Sequence, residues 1–255
     1  MARIFITGTT DGLGLAATRT LMLGGHEVVI HARSAERALA LAELAGYAAG
    51  LVVGDLSSAA ETRAVAEQVN AIGRMDAVIH NAGVYRTEGR GSTAEGHAVL
   101  VAVNILAPYM LTALIERPRR LVYLSSSLHR GGEGALDDID WTRRPWNQAM
   151  AYAGSKLQIA ALAFAVARRW PEVLSNAVDP GWVRTRMGGA AAPVDIETGQ
   201  RTQSWLAASD DPAAMVSGRY WCNLGQEQPS GEVMDVAFQD RLLGELGKLT
   251  GVTLP

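Results

Sequence analysis

The chain has 255 residues, 48% of them hydrophobic, and 23 basic against 26 acidic side chains for a formal net charge of −3. That length and apolar share suffice for one sizeable core, while the slightly acidic balance offers no basic face to nucleic acid or an anionic membrane. The lone Cys222 excludes an internal disulfide and a cysteine-rich metal site.

Residues 4–7 read as a strand from the outset, so no removable leader and no membrane anchor is expected, and the chain reads as cytoplasmic. The strand runs into Thr7-Gly-Thr-Thr-Asp-Gly-Leu-Gly14, which opens a helical pattern over 13–24. Gly8, Gly12 and Gly14 allow a tight turn and close backbone approach, and the helix N-terminus offers unpaired N–H groups to a pyrophosphate. A ligand-free turn can carry the same glycines, but the position at the first strand–helix junction is that of a dinucleotide loop. Its G-x-x-x-G-x-G spacing differs from the ordinary G-x-G-x-x-G. The second strand, 27–31, ends in His31-Ala32-Arg33. No carboxylate stands there to accept from a ribose 2′-OH, whereas Arg33 suits a 2′-phosphate. Asp11 opposes extra negative charge, yet the balance favours NADP(H) over NAD(H).

A helix is expected over 35–46, a strand over 50–54 and a helix over 58–72. Asp55-Leu56 closes that third strand, where the carboxylate either accepts from an adenine amino group or caps the next helix. The fourth strand, 77–80, ends in Asn81-Ala82-Gly83, small residues that let backbone approach a cofactor and that also make ordinary turns. The apolar helix over 94–115 carries Asn104 and Pro108. Asn104 needs partners, either the backbone loosened by proline or a water that relays protons. A fifth strand, 120–125, ends in Ser125-Ser126-Ser127, placing hydroxyls where open parallel sheets bind ligands. Without a G-x-S-x-G elbow, and without an acid to partner His129, a hydrolase reading is weak.

The helix over 148–170 carries the most telling pair. Tyr152 and Lys156 lie four residues apart on one helix face, so phenol and ammonium can converge on one reacting group. A nearby cation is expected to lower the phenol pKa and fit it to exchange a proton with a carbonyl or alcohol oxygen. A sixth strand, 174–178, leads into Asp179-Pro-Gly-Trp-Val-Arg-Thr185, where Pro180-Gly181 turns the chain and Thr185 can bond a carboxamide; a helix over 198–208 follows. Loops near 128–147 and 187–196, with a segment over 217–234 that carries Tyr220 and Trp221, are expected to line a partly apolar substrate pocket. Strict alternation of strand and helix predicts an α/β fold: one doubly wound parallel sheet, Rossmann-like, with helices on both faces. No linker divides residues 1–255, which read as a single domain.

In their order, these motifs resemble the short-chain dehydrogenase/reductase family over essentially the whole chain. Leu124-Ser-Ser-Ser-Leu-His129, the Asp137-Asp-Ile-Asp-Trp141 insertion and His31-Ala-Arg33 are similar to its retinol-dehydrogenase-like branch. The resemblance implies an NADP(H)-dependent oxidoreductase interconverting a carbonyl compound and an alcohol. Tyr152 would be general acid/base, with Lys156, Ser126 and Asn104 as its catalytic companions. Cofactor contacts would come from Gly8, Thr10, Asp11, Gly12, Leu13, Gly14, Arg33, Asp55, Leu56, Asn81, Ala82, Gly83, Tyr152, Lys156, Pro180, Gly181, Val183 and Thr185. The partner is a small carbonyl or alcohol, and the apolar residues of helices 94–115 and 148–170 either pair across a two-fold axis in a homo-oligomer or belong to the core. A rival reading keeps the fold as a catalytically silent cofactor sensor. A sugar-nucleotide epimerase would want a longer C-terminal region.

Overall fold

The computed structural model describes residues 1–255. Seven strands, β1 (Arg3–Ile6), β2 (Glu27–Ala32), β3 (Gly50–Val53), β4 (Ala77–His80), β5 (Arg120–Leu124), β6 (Leu174–Asp179) and β7 (Tyr220–Cys222), run parallel, and β8 (Gly225–Glu227) closes one edge antiparallel to β7. They form one sheet in the order β3-β2-β1-β4-β5-β6-β7-β8. The reversal of strand order beside β1 leaves a crevice at the carboxyl ends of β1 and β4, where such sheets bind ligands.

Both faces of the sheet are covered, which explains strands without polar alternation. Successive side chains point to opposite sides. In β1, Ile4 and Ile6 enter one core with Leu21 and Leu206, while Phe5 enters the other with Val65, Leu157 and Leu246. The first layer is built from α1 (Gly12–Leu23) and α8 (Ile196–Ala208). The second contains α4 (Ala59–Ile72), the helix Val99–Leu114, α7 (Gln148–Arg169) and a C-terminal helix, Val236–Thr250. Helix α7 is long and apolar enough to cross a membrane, yet 78% of its apolar window is buried in this core.

Several expectations shift. The helix expected over 35–46 splits into Ala35–Leu39 and Ala42–Ala45, because Leu41 leaves helical backbone angles and buries its side chain in the core. The helix expected from 94 begins at Val99, since the preceding backbone is held elsewhere: the Ala98 N–H donates to Asp140 Oδ1 at 3.0 Å. Within it, Ala102–Leu106 widens to a π turn, with the Ala107 N–H reaching back to the Ala102 carbonyl. Strands β7 and β8, three residues each, are joined through Asn223 and Leu224 at φ 45° and 63°, a turn that lacks the usual glycine signal.

The C-terminal helix was legible but unread. Asp235 caps it, Phe238, Leu242 and Leu246 recur at helical spacing, and Gly251 ends it at φ 64°. It covers the helices that seemed free to pair with another copy. Tyr109 Oη donates to the Val252 carbonyl at 2.9 Å, and Trp170 Nε1 to the Pro255 carbonyl at 2.7 Å. Leu246→Ala should therefore cost about 2–5 kcal/mol in denaturant unfolding. Leu23→Ala, on the exposed side of α1, should change stability by less than about 0.5 kcal/mol. Equal small effects would remove the C-terminal helix from the core.

Candidate active site

The glycine-rich turn is shaped from three sides. Thr7 Oγ1 accepts from the N–H groups of Asn81 and Ala82, at 3.0 and 2.9 Å. Asn81 Nδ2 donates to the carbonyls of Thr7 and Gly8, at 2.9 and 3.2 Å. The Gly8 N–H donates to His31 Nδ1 at 3.0 Å. Gly8 and Gly12 have φ of 72° and 54°, where a side chain is strained. Gly14 leaves no room for one, since a Cβ would stand 2.2 Å from the Gly8 carbonyl oxygen. Asp11 caps α1, accepting from the Gly12 N–H at 2.7 Å, and its other oxygen faces Arg186 Nε at 3.6 Å. That pairing blunts the opposition to an anion expected from its charge.

This turn forms one wall of a cavity of about 650 Å³. Gly8, Thr10, Asp11, Gly12, Leu13, Gly14, Arg33, Leu56, Asn81, Ala82, Gly83 and Thr185 all line it. Asp55, Tyr152, Lys156, Pro180, Gly181 and Val183 do not. Asp55 Oδ1 is spent locally, accepting from the Ser57 N–H and hydroxyl at 2.8 Å each. The capping alternative describes its role better than an adenine contact, although the cap of α4 itself is Ser58. Pro180 and Gly181 shape the exit from β6, with the Gly181 N–H bonded to Asp179 Oδ1 at 2.8 Å. Val183 is buried and bridges to Val194, so the 183–194 segment folds back on itself.

A dinucleotide fits what is present. The volume lies in the range of cofactor sites. The glycine wall excludes side chains. Asn81 Oδ1 is buried with no donor in the protein, although Asn81 lines the cavity, so it awaits a hydroxyl or amide of a ligand.

At the sheet's carboxyl end, α7 crosses β5. Lys156 Nζ donates to the Leu124 carbonyl at 2.8 Å, and Ser125 Oγ to the Lys156 carbonyl at 2.8 Å. Tyr152 lies on the same face, its ring centroid 5.5 Å from Nζ. Gly83, a cavity residue, brings these groups to the crevice: a Cβ there would stand 3.6 Å from Lys156 Nζ and 3.5 Å from Asn104 Oδ1. Asn104 does not bond the backbone loosened by Pro108. From the π turn it takes the Val84 N–H at 2.8 Å, and its Nδ2 donates to the Val84 carbonyl at 2.9 Å and Ser155 Oγ at 3.1 Å. It thus ties the β4 exit to α7. Ser126, half-buried after β5, accepts only from the Leu128 N–H at 3.3 Å. Its neighbour Ser125 is the buried, structurally committed hydroxyl.

The electrostatics depart from expectation. Burial pushes the Tyr152 phenol up to about 12, with Asp179 and Tyr85 adding to the rise. Burial pushes Lys156 down to about 8, partly offset by Asp179. The helical spacing does bring the two heads together, but the ammonium is directed at the Leu124 carbonyl, and desolvation outweighs its pull on the phenol. In the protein by itself, Tyr152 is a neutral acid throughout the ordinary pH range.

Three contributors escaped the sequence reading. Arg37 lines the cavity and donates from Nη2 to Thr10 Oγ1 at 3.2 Å; its position four residues after Arg33 on a helical pattern was the available signal. Tyr85 stands edge-on to Tyr152, ring centroids 4.8 Å apart. His31, at the end of β2, lines the cavity as well. By contrast, no residue of 128–147 lines the cavity: Trp141, at φ 56°, packs with Leu100, Ala151 and Tyr152 behind the phenol. Tyr220 and Trp221, 1% and 2% exposed in β7, do not line this cavity, but Tyr220 borders a separate one of about 400 Å³ with Gly218, Arg219, Gln226 and Met234. Met187 alone of the 187–196 loop lines the cavity.

Comparison with known proteins agrees with this geometry. Residues 2–127 match the model of the short chain dehydrogenase family. The short-chain dehydrogenase chyC of Penicillium rubens is 40% identical over all of this chain and all of its own length. Human retinol dehydrogenase 13 is 28% identical over 99% of this chain and 85% of that protein. The crystal structure of an uncharacterised protein from Mycobacterium paratuberculosis superposes with a TM-score of 0.83 at 26% identity, covering 100% of this chain and 95% of that one. With a glycine cradle, a buried Tyr–Lys pair on one helix face and full-length relatives in agreement, the chain belongs to the short-chain dehydrogenases, oxidoreductases acting between CH–OH and C=O.

Proposed function

We propose that the protein is an NADP(H)-dependent carbonyl reductase, with Tyr152 as the proton donor. The observation that carries this reading is the phenol held at about 12 beside the Lys156 head, with Tyr152 against Tyr85 and Lys156 against Gly83, two residues that line the dinucleotide cavity. A bound reduced nicotinamide supplies the hydride. Tyr152 then delivers its proton to the carbonyl oxygen, and a neutral phenol suits that direction far better than alcohol oxidation, which needs a phenolate. Ser126 Oγ, free of strong internal bonds, donates to the same oxygen and steadies its developing charge, a contact worth about 3 kcal/mol in comparable sites. Lys156 holds ribose hydroxyls from its place beside Gly83. Asn104 keeps the Val84 backbone and α7 in register around them.

Arg33 and Arg37 support the phosphorylated cofactor. Both guanidiniums line the cavity, Arg33 exposed with no acidic partner and Arg37 tethered to the glycine loop. A planar guanidinium pairs well with phosphate. Arg33→Ala and Arg37→Ala should each weaken NADPH about tenfold more than NADH. Equal losses for the two cofactors would overturn the preference.

The reading is tested by following NADPH consumption with a panel of ketones, aldehydes and quinones. Reduction of at least one class supports it. Tight NADPH binding with no reduction across the panel would turn the protein into a silent sensor.

A further inference from the structure

We propose that His31 is a positioning residue for the dinucleotide loop, holding Gly8 in its binding conformation through a neutral imidazole of fixed tautomer. The inference rests on the dinucleotide reading above. Nothing in the glycine pattern requires a histidine at the end of the second strand. Yet its side chain is 3% exposed, lines the cavity and touches two different loops.

The partners determine the proton. The Gly8 N–H can only donate, so Nδ1, 3.0 Å away, must present a lone pair. The Gly54 carbonyl can only accept, so Nε2, 2.9 Å away, must carry the hydrogen. The His31 backbone is pinned to the same loop, its N–H bonded to Thr9 Oγ1 at 3.0 Å and its carbonyl receiving the Thr9 N–H at 3.1 Å. Phe5 meets the ring edge-on at 6.5 Å. One imidazole therefore links the end of β3 to the first glycine of the loop, and Gly8 is the residue whose positive φ starts the turn.

Protonation would place an Nδ1–H against the Gly8 N–H, and the loop would lose its anchor. The charged group acting on the ring is the Asp55 carboxylate from the β3 exit, and Arg33 and Arg37 line the same cavity. Burial dominates and holds the ring neutral at ordinary pH, so the anchor fails only in acid, below the usual histidine range.

The test separates the two nitrogens. His31→Asn keeps an acceptor where Nδ1 stands, and His31→Gln keeps a donor where Nε2 stands. Calorimetric NADP⁺ titration at pH 7.5 should give the Asn variant affinity within about threefold of wild type and the Gln variant a loss of about tenfold, from the unpaired Gly8 N–H. Melting curves without cofactor show that both variants fold. As the pH is lowered into the acid range, wild type should lose more affinity than His31→Asn, and taking this difference cancels the cofactor phosphate's own titration near pH 6. Equal affinities for all three proteins, or equal losses in both variants, would overturn the role of His31. A wild-type protein that binds neither NADP⁺ nor NAD⁺ would bring down the dinucleotide reading first.

Discussion

Tyr152→Phe should fold and bind NADPH like the parent protein while losing roughly a thousandfold in carbonyl reduction. The ring is the structural part of this residue: it packs with Leu100, Trp141 and Ala151 and meets Tyr85 edge-on. No hydrogen bond to the phenol enters the account of its ionisation, which is governed by burial and by Asp179 and Tyr85. Removing the hydroxyl thus subtracts the proton donor and little else. Measuring kcat and cofactor Kd side by side checks both halves, and full turnover by the Phe variant on a verified substrate would end the assignment. The pH profile of the wild type adds a second reading. Tyr152 stays protonated below about 12, so its titration is not seen at ordinary pH. Lys156 is charged below about 8 and neutral above it. The reduction kcat/KM should therefore be level at pH 6–7 and fall by about tenfold per unit well above 8, reporting the free enzyme. A rate rising through that window would assign the essential group to a base.

Gly14→Ala is expected to cost roughly a hundredfold in NADPH affinity, because a displacement of about 1 Å at a binding constellation has that scale. The added methyl would stand 2.2 Å from the Gly8 carbonyl oxygen and 2.5 Å from Asn81 Nδ2. Backbone cannot yield there without breaking the Asn81 bonds to Thr7 and Gly8. The loop, its orphaned Asn81 oxygen and the start of α1 would all shift together. Gly244→Ala, on the C-terminal helix with open space around it, is the control and should leave affinity unchanged. Fluorescence titration of NADPH compares the two, and an undiminished Gly14→Ala would mean that the glycine wall does not bind the cofactor.

Much of this molecule was readable from residue order. The six parallel strands β1 to β6 announce themselves as short apolar runs, because the sheet is covered on both faces. The glycine loop, Asn81-Ala82-Gly83 and the Tyr152–Lys156 spacing reflect local geometry, and local geometry survives folding. Strands β7 and β8 were not readable: three residues carry too little pattern, and Asn223-Leu224 hides the turn. The C-terminal helix was readable from its leucine spacing, and what it covers was not.

The chain's own order of residues announced the doubly wound sheet, the place of the dinucleotide loop and the face shared by phenol and ammonium, since each leaves a local signature: alternating strand and helix runs, a glycine turn and a four-residue spacing. Folding decided the rest. It turned the Lys156 head onto the Leu124 carbonyl and buried Tyr152 behind Trp141, so desolvation, which depends on everything packed around a group, raised the phenol pKa that a neighbouring charge was expected to lower. It also carried Arg37 and His31 to the cavity and kept Tyr220 and Trp221 from it, because burial is settled by partners distant in the chain.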